Sequence, residues 1–344
     1  MSFDVENTDN TESQKRSIKN NDNRNALDKK SNDEYVSNKT IETGQKTKEY
    51  SWKNIDIEHI ITKEKLQNII NLLEKTKQEF VLHKNIKIMH KWVEDETTDL
   101  DKKINKLILN GIKNIFPEDW FLSEESKDNT MRLTKKRVWI IDPVDWTWNL
   151  INYLSWKSSQ KYKNFAIHIG LVSNWEPELW IMYLPIKDIL YIWIKWIWSF
   201  TYKNWKSERI FMAKIDKEGR DIECAWSVYR NDKTKSISED SRCKKETLWN
   251  VFGCCILSIL EWKNNGYICF PPEKNRLWEW DLCAPYVIFK EVWGIIKTFD
   301  DENIFFNQKD PYLNNWVVAI NPWLLRNKKN IIKKDEQWNY VFDI

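Results

Sequence analysis

Acidic residues that could hold a metal ion occur in four places along the 344-residue sequence. Each place is at the edge of a predicted helix or strand, where a side chain can project into a cleft. Carboxylate oxygens with no partnering histidine or thiol favour Mg²⁺ or Mn²⁺ over zinc. The four clusters are Asp99 with Asp101, Glu124 with Glu125, Asp142 with Asp145, and Asp281 after Trp280.

The segment Asp142-Pro-Val-Asp145 is the most informative of these clusters. Pro143 fixes φ and turns the chain out of a strand, so both carboxylates and the Val144 carbonyl can face one point. Carboxylates held this close repel one another unless divalent cations neutralise them. An isolated Glu-Glu pair is more often a solvated turn, but four clusters in this order favour a metal site over coincidence.

The acidic clusters need regular elements to position them. Apolar residues at helical spacing predict one helix from about Glu64 and a second that carries Ile104 to Ile115. The apolar run from Arg137 predicts a buried strand that delivers Asp142 at its carboxyl end. Further elements are a half-buried strand over 165–171, a meander over 180–184 and 189–194, a helix over 281–292, strands over 294–298 and 317–320, and a last helix starting at Asn321 and Pro322. Together they predict layered α/β or α+β architecture with two subdomains that share a cleft.

Composition excludes several classes of protein. The net charge of +3 argues against a strongly basic nucleic-acid binder. No apolar run approaches the ~18 residues of a membrane span, and the chain starts with a polar segment, so we expect a cytoplasmic protein. The six cysteines form no Cys-x-x-Cys pair, so we expect reduced structural thiols. Residues 1–48 are polar, and we expect a disordered, solvated tail there rather than an RNA or partner tether.

Two residue counts are abnormal. The chain has 7 glycines and 22 tryptophans, whereas glycine is usually about 7% of a protein. Several tryptophans stand where glycine is expected, such as Trp175 after Asn174 in a predicted hairpin and Trp293 before Gly294. Three more crowd a short segment, Trp193, Trp196 and Trp198. Our hypothesis is that many of these positions are UGA codons that some bacterial lineages read as glycine; the alternative is a genuinely tryptophan-rich protein, and we expect Trp139 and Trp280 to be authentic.

The order of these motifs resembles the inositol monophosphatase superfamily of Mg²⁺-dependent, lithium-sensitive phosphatases. The family pattern is Asp-Pro-(Ile/Leu/Val)-Asp-Gly-Thr, a later Trp-Asp and a Glu-Ala-Gly-Gly, and two of its glycines fall on Trp146 and Trp293. The motifs that carry the resemblance are Thr98-x-x-Asp101, Ser123-Glu124-Glu125-Ser126, Trp139-Ile-Ile-Asp142-Pro-Val-Asp145-Trp146-Thr147, Trp280-Asp281 and Glu291-Val-Trp293-Gly294.

The resemblance implies a layered α-β-α-β-α sandwich of the sugar-phosphatase type. It also implies a role for each motif residue. Glu124, Asp142 and the Val144 carbonyl would hold one Mg²⁺, Asp142, Asp145 and Asp281 a second, and Asp101 with Glu124 a weaker third; Mn²⁺ could replace Mg²⁺. Thr147 and Glu124 would orient and deprotonate the attacking water, with help from Asp101 and Thr98. Asp145, the backbone at Trp146 and Thr147 would bind the substrate phosphate. His168 is expected to be structural or exposed, and Glu125 to lie behind the ligands.

We expect the substrate to be a small phosphorylated polyol, with inositol 1-phosphate first. A 3′(2′),5′-bisphosphate nucleotidase is the alternative, because Ser123, the Trp280-Asp-Leu-Cys-Ala segment and Phe306-Asn-Gln-Lys lean that way. A catalytically idle scaffold protein ranks below both. We expect no membrane or nucleic-acid partner, and a homodimer is possible. The predicted domains are the tail over 1–48, an α+β subdomain over 49–205 with the Glu-Glu and Asp-Pro-Val-Asp motifs, and an α/β subdomain over 206–344 with Trp-Asp.

Overall fold

A computed structural model of the chain describes most of the sequence after residue 56. The described ranges are 57–83, 86–92, 95–156, 162–203, 206–212, 222–224, 235–241, 243–245, 252–260, 264–269, 277–300, 302–313, 315, 317–324 and 332–342. The predicted tail over residues 1–48 lies outside these ranges.

The helices confirm the two that the apolar periodicity predicts near the start. They are α1 (Lys63–Leu82), α2 (Asp99–Ile115), α3 (Thr147–Trp156), α4 (Lys235–Ser238), α5 (Phe252–Leu260) and α6 (Glu279–Glu291). Helix α1 begins where the Thr62 side chain accepts a hydrogen bond from the Lys65 amide. The apolar stripes of α1 and α2 face the core: Ile69 and Ile108 are fully buried, and Leu107 and Ile115 at the margin of the α2 stripe are partly buried.

A seven-stranded sheet forms the first large layer. Its strands are β3 (Trp120–Ser123), β4 (Arg137–Asp145), β5 (Ala166–Ser173), β6 (Glu176–Leu184), β7 (Ile189–Ile194), β8 (Trp198–Lys203) and β9 (Lys206–Arg209), in chain order, after a separate ribbon of β1 (Ile88–Trp92) and β2 (Asp95–Thr98). Strand β3 pairs with β4 in parallel, and the other neighbours are antiparallel. The predicted meander is therefore confirmed.

A five-stranded sheet forms the second large layer, in the order β11-β10-β12-β16-β14. Its strands are β10 (Ile222–Cys224), β11 (Cys243–Lys245), β12 (Gly266–Cys269), β14 (Ile295–Thr298) and β16 (Val317–Ile320). Two short ribbons complete the described strands, β13 (Leu277–Trp278) with β15 (Tyr312–Leu313) and β17 (Ile332–Lys334) with β18 (Tyr340–Phe342).

The buried apolar clusters show how these layers stack. Residues of α1 and α2 pack on one face of the seven-stranded sheet. Residues of α5 and α6 pack between the other face and the five-stranded sheet. The outer face of the five-stranded sheet packs against Ile237 of the short α4. This order of layers confirms the α-β-α-β-α sandwich, in which apolar residues on both faces of each sheet are removed from water.

Several local predictions need correction. Strand β4 continues through Pro143 to Asp145, with a register shift against β5 between Asp142 and Asp145. Strand β5 is buried along its whole length rather than half-buried. Within the described residues, the predicted last helix is a short 3₁₀ turn over 322–324. Cys254, Cys255, Cys269 and Cys283 are reduced thiols, as expected, whereas Cys243 is disulfide-bonded.

Membrane-spanning character is not seen in the described part of the chain, because none of its helices combines the length and apolarity that crossing a bilayer requires. The predicted subdomain boundary near residue 205 remains a prediction.

Tryptophan occupies backbone conformations that favour glycine. Among the described residues, eight other than glycine have positive φ, and five of them are tryptophan, at φ values from 64° to 72°. A side chain in this left-handed region clashes with its own backbone, so bulky residues are rarely found there. The five are Trp146, Trp175, Trp196, Trp293 and Trp338. Trp139 differs from them, because its buried indole donates a 2.8 Å hydrogen bond to Asp119.

Candidate metal centre

The parallel pairing of β3 and β4 brings the first two acidic motifs to the same edge of the sheet. Ser123 pairs with Ile141, and the Glu124 amide donates a 3.2 Å hydrogen bond to the Ile141 carbonyl. Glu124 therefore leaves β3 beside the point where β4 presents Asp142. Parallel neighbours end at a common edge, which is why Glu124 and Asp142, 18 residues apart in sequence, meet there.

The irregular end of β4 positions two more carboxylates. Asp142 and Asp145 are 1% and 7% exposed, and Oδ1 of Asp142 accepts a 2.9 Å hydrogen bond from the Val144 amide. Oδ2 of each aspartate is buried without a hydrogen-bond partner among the described residues. Buried carboxylate oxygens without donors are costly. The end of β4 thus carries two buried carboxylate oxygens that no hydrogen bond within the described residues satisfies.

The start of α2 contributes a third carboxylate, Asp101. Thr98 caps the helix: its side chain accepts from the Asp101 amide, and the Asp101 carboxylate in turn accepts from the Thr98 amide and hydroxyl. The other oxygen of Asp101 accepts a 2.7 Å hydrogen bond from the hydroxyl of Thr147, in the first turn of α3. Both oxygens of the 1% exposed Asp101 are therefore used within the protein.

The first turn of α6 adds Asp281. One of its oxygens accepts a 3.2 Å hydrogen bond from the Trp278 amide, as an acid in a helix N-terminal turn commonly does. The negative charge of Asp281 raises the pKa of both Asp142 and Asp145. The structure therefore brings Asp281 within electrostatic reach of the β4 carboxylates, although 136 residues separate it from Asp145.

Burial and mutual repulsion together disfavour the ionised forms of these acids. Burial is the largest cause of the raised pKa of Asp142, followed by the charges of Glu124, Asp145 and Asp281. Burial likewise raises the pKa of Asp145. The pKa of Asp101 rises to about 7 through burial, opposed by its hydrogen bonds to Thr98 and Thr147. A divalent cation would reverse this repulsion, which is the electrostatic signature of a metal site.

His168 joins this cluster, which sequence reasoning did not anticipate. It is completely buried in β5, as the structural rather than the exposed alternative predicts, but the expectation of no histidine beside the carboxylates is wrong. Ligand atoms of His168, Asp142 and Asp145 all lie within 4.8 Å of one another, an arrangement that could hold a metal ion. The missed signal was the strand pattern itself, since a single imidazole interrupts an otherwise apolar, fully buried run.

Two further predicted site residues lie at the margin of the cluster. Glu125 accepts a 2.9 Å hydrogen bond from Thr97 and raises the pKa of Asp101 by its charge. Trp146 has φ of 72° between Asp145 and the start of α3. Its indole is only partly buried and packs against the core cluster between the two sheets.

A buried hydrogen-bond network, also missed in the sequence, lies behind the acidic residues. Arg132 is fully buried and donates to Asp128, to the Asn307 side chain and to the Gln308 carbonyl. Glu279, two residues before Asp281, accepts 2.6 and 2.8 Å hydrogen bonds from the Asn307 and Gln308 amides. The network ties the loop after Glu125 to the first turn of α6.

Comparison with known proteins identifies relatives of this chain. The family model described as "Inositol monophosphatase family" matches residues 58–337. The chain is 32% identical to inositol monophosphatase 1 of Solanum lycopersicum over 247 residues, covering 70% of this chain and 84% of that protein. It is 38% identical to a 3′-phosphoadenosine 5′-phosphate phosphatase of Mycobacterium bovis over 224 residues, covering 64% of this chain and 75% of that protein.

The fold has solved counterparts. The structure of an IMPase from Thermotoga maritima superposes with a TM-score of 0.58 at 19% sequence identity, covering 77% of this chain and 94% of that one. At that identity the likeness concerns the fold, which is the same layered arrangement of helices and sheets.

Proposed function

Because the chain belongs to the inositol monophosphatase family and is therefore a phosphatase that hydrolyses phosphomonoesters, we propose that its substrate is a small phosphorylated polyol, with inositol 1-phosphate as the first candidate. The similarity to inositol monophosphatase 1 of Solanum lycopersicum supports the polyol. The observation that carries the metal-dependent chemistry is the convergence of Glu124, Asp142, Asp145 and Asp281 from three separate segments of the chain. These segments are the end of β3, the end of β4 and the start of α6.

The residues present fit the metal ions on which the family depends. Oδ2 of Asp142 and Oδ2 of Asp145 are buried without a hydrogen-bond donor among the described residues, and a cation satisfies both. Glu124, Asp142 and the Val144 carbonyl would hold one Mg²⁺, and Asp142, Asp145 and Asp281 a second. Asp101 with Glu124 would serve a weaker third site through waters, and Mn²⁺ could replace Mg²⁺. When bound, such ions lower the pKa of a coordinated water and neutralise charge on the phosphoryl oxygens.

Thr147 would orient the attacking water. A hydroxyl has one proton, and the Thr147 hydroxyl is 2.7 Å from Asp101 Oδ1, closer than the 3.3 Å to the Val144 carbonyl, so Asp101 is its better acceptor. The lone pairs of Thr147 then remain to accept a hydrogen bond from the water, and the Glu124 carboxylate takes the water's second proton. Thr98 holds Asp101 in place by donating to its other oxygen.

The start of α3 is placed to bind the substrate phosphate. The amides of residues 146 and 147 open a 10-residue helix, and helix N-termini attract anions through amides that have no partner within the helix. Asp145 lies directly before them. Close approach of a phosphate to this backbone requires a small residue at position 146, which an indole is not.

We also propose that positions 146, 175, 196, 293 and 338 are glycine in the protein as its own cell makes it, encoded by UGA. Their positive φ values and the composition of 7 glycines against 22 tryptophans support this. Peptide mass spectrometry of the protein isolated from its own cells tests it. Glycine masses at these positions support recoding, and an indole at 146 or 175 refutes it.

A 3′(2′),5′-bisphosphate nucleotidase is the second candidate. The 38% identity to the mycobacterial 3′-phosphoadenosine 5′-phosphate phosphatase favours it, as do Ser123 and the segment after Trp280. The two activities share the same proposed metal chemistry, and their substrates differ in the group that carries the phosphate, a polyol or a nucleotide.

Phosphate release with Mg²⁺ from inositol 1-phosphate and from 3′-phosphoadenosine 5′-phosphate tests these proposals. The assay uses the full chain with glycine at the five positions, and EDTA as the metal-free control. A preference of at least about tenfold in kcat/KM, about 1.4 kcal/mol in transition-state binding, assigns the substrate. Release from neither compound would instead favour the idle scaffold.

A further inference from the structure

His168 lies in β5, and its two ring nitrogens face different elements: Nδ1 faces the start of α6, and Nε2 faces the end of β4. It sits opposite Asp142 in the β4–β5 pairing and opposite Met182 in the β5–β6 pairing. Its Nδ1 is 3.0 Å from the backbone carbonyl of Trp280, at the start of α6. Its Nε2 is 3.5 Å from Oδ2 of Asp145.

The contact with Trp280 fixes where the proton of the neutral ring resides. A carbonyl oxygen only accepts hydrogen bonds, so Nδ1 must carry the proton and Nε2 must present its lone pair. A protonated Nε2 would not make a hydrogen bond of normal length to Asp145 either, because 3.5 Å exceeds the range of about 2.7–3.2 Å that is usual for an N–H···O hydrogen bond. The lone pair of Nε2 therefore points at a carboxylate oxygen, which also presents only lone pairs when ionised.

Neither of these two facing atoms has a hydrogen-bond partner in the described part of the chain. A protonated Asp145 does not resolve the conflict, because 3.5 Å exceeds the 2.5–3.0 Å reach of a carboxyl hydrogen bond. Two buried acceptors that face each other call for a shared cation.

The spacing suits one ion. Ligand atoms on an octahedral ion with bonds of about 2.1 Å stand about 3–4 Å apart. The facing atoms of His168 and Asp145 are 3.5 Å apart, and all three ligand atoms with Asp142 lie within 4.8 Å of one another. A metal-bound histidine also commonly donates its second ring N–H to a backbone carbonyl, which is what Nδ1 does at Trp280.

Resting on the proposed function, we propose that Nε2 of His168 is a ligand of the ion that Asp145 and Asp142 share. This position is then a mixed nitrogen and oxygen site. Imidazole nitrogen binds first-row transition ions better than it binds Mg²⁺. The site is therefore selective for a transition ion such as Co²⁺ over Mg²⁺, relative to a site of carboxylates alone.

Electron spin-echo spectroscopy of the full chain loaded with Mn²⁺ tests this assignment, because a coordinated imidazole gives a characteristic ¹⁴N modulation. Spectra are recorded at one and at three equivalents of Mn²⁺, so that each site is sampled. We expect the ¹⁴N signal in the parent chain, its loss in His168→Gln, and its retention in His59→Gln, which changes an exposed histidine. Bound Mn²⁺ without ¹⁴N modulation in the parent chain overturns the proposal, whether or not the variant folds.

Metal competition gives a second readout. We expect His168→Gln to lower the affinity for Co²⁺ relative to Mg²⁺ by at least about tenfold, while His59→Gln leaves the ratio unchanged. An unchanged ratio in a folded His168→Gln protein contradicts the proposal. Failure of the parent chain to bind Mn²⁺ at all would overturn both this proposal and the metal-dependent mechanism. Mn²⁺ bound through oxygen alone would overturn only the role of His168.

Discussion

The hydroxyl of Thr147 donates a 2.7 Å hydrogen bond to Oδ1 of Asp101 and so joins the first turn of α3 to the first turn of α2. We expect Thr147→Ala to lower kcat by about 10²-fold or more, the range usual for loss of a group that positions a proton transfer. Thr147→Ser keeps the hydroxyl and should stay within about tenfold of the parent. Steady-state kinetics on the preferred substrate measures both, and equal losses in the two variants would contradict the role of the hydroxyl.

Asp142 is the carboxylate at which both proposed metal sites meet. We expect Asp142→Asn to abolish phosphate release and to weaken Mn²⁺ binding, because the amide removes the charge that both ions need. Titration with Mn²⁺ followed by electron paramagnetic resonance measures the binding. The matched control is Asp310→Asn, which changes an exposed carboxylate outside the cluster. Full activity in Asp142→Asn would refute the metal assignment.

The metal-free protein should lose stability as pH rises. Burial raises the pKa of Asp101 and of Glu279 to about 7, from 3.8 and 4.5. Between those limits the folded chain holds protons that the unfolded chain releases, so the free energy of unfolding falls with increasing pH. His168, with its pKa lowered to about 4, acts in the opposite direction below 6.5 but is a single group.

We therefore expect the thermal midpoint in EDTA to fall by about 5 °C or more between pH 5 and pH 8. Saturating Mg²⁺ should remove most of this fall, because the metal binds the ionised carboxylates. Asp101→Asn should flatten the metal-free slope. Differential scanning calorimetry measures all three, and a midpoint that rises with pH in EDTA would show that the buried acids do not hold these protons.

Arg132 should matter far more for stability than an exposed cation in a similar pair. Arg132→Met removes a fully buried guanidinium and its hydrogen bonds to the Asn307 side chain and the Gln308 carbonyl, whereas the Asp128 side chain is 29% exposed. We expect a loss of about 1–3 kcal/mol in the free energy of unfolding, because these buried acceptors are left without a donor. Lys334→Met breaks the 3.0 Å ion pair with Asp300, in which the side chains of Lys334 and Asp300 are 38% and 42% exposed. That change should cost less than about 1 kcal/mol. Urea denaturation measures the free energy of unfolding of both variants. Similar losses would show that the buried Arg132 contributes no more to stability than the exposed Lys334.

Replacing tryptophan by glycine should stabilise the protein at positions with positive φ. Trp196 and Trp338 have φ of 68° and 64° and are 78% and 73% exposed. We expect each change to glycine to raise the free energy of unfolding by about 1 kcal/mol, because the backbone strain is relieved and little packing is lost. Trp323 is also exposed but is not among the residues with positive φ, so Trp323→Gly should not stabilise.

Trp139→Gly should have the opposite effect and cost about 3–5 kcal/mol, because it empties a buried site and removes the hydrogen bond to Asp119. Thermal denaturation of the four single variants measures the series. Destabilisation by glycine at both Trp196 and Trp338 would contradict the argument from backbone conformation.

Local patterns in the sequence were enough to place the elements that carry most of the site. The helical stripe of α2 and the apolar run of β4 depend on neighbours in sequence, and both lie where periodicity predicts them. The prediction that Pro143 turns the chain out of the strand is wrong, because a register shift against β5 lets the strand continue to Asp145. Proline is tolerated at such irregularities, where no ladder hydrogen bond is required of it.

Long-range contacts could not be read from the sequence. Arg132 meets Asn307 across 175 residues, and His168 meets Trp280 across 112. Nothing in the local pattern of either residue specifies its distant partner. The burial of β5 on both faces could not be predicted from the sequence either, because it depends on helices that pack on the two sides of the sheet.

The dispersal of the site along the chain has a consequence for how the protein matures. Thr98 and Asp281 are 183 positions apart, and the acidic centre is incomplete until α6 has docked beside β4. A ribosome-bound chain that ends before residue 281 holds the Asp142 and Asp145 pair without its last carboxylate. Under the proposed metal assignment, we therefore expect the complete chain to bind divalent cations tightly and chains that end before residue 281 to bind them poorly.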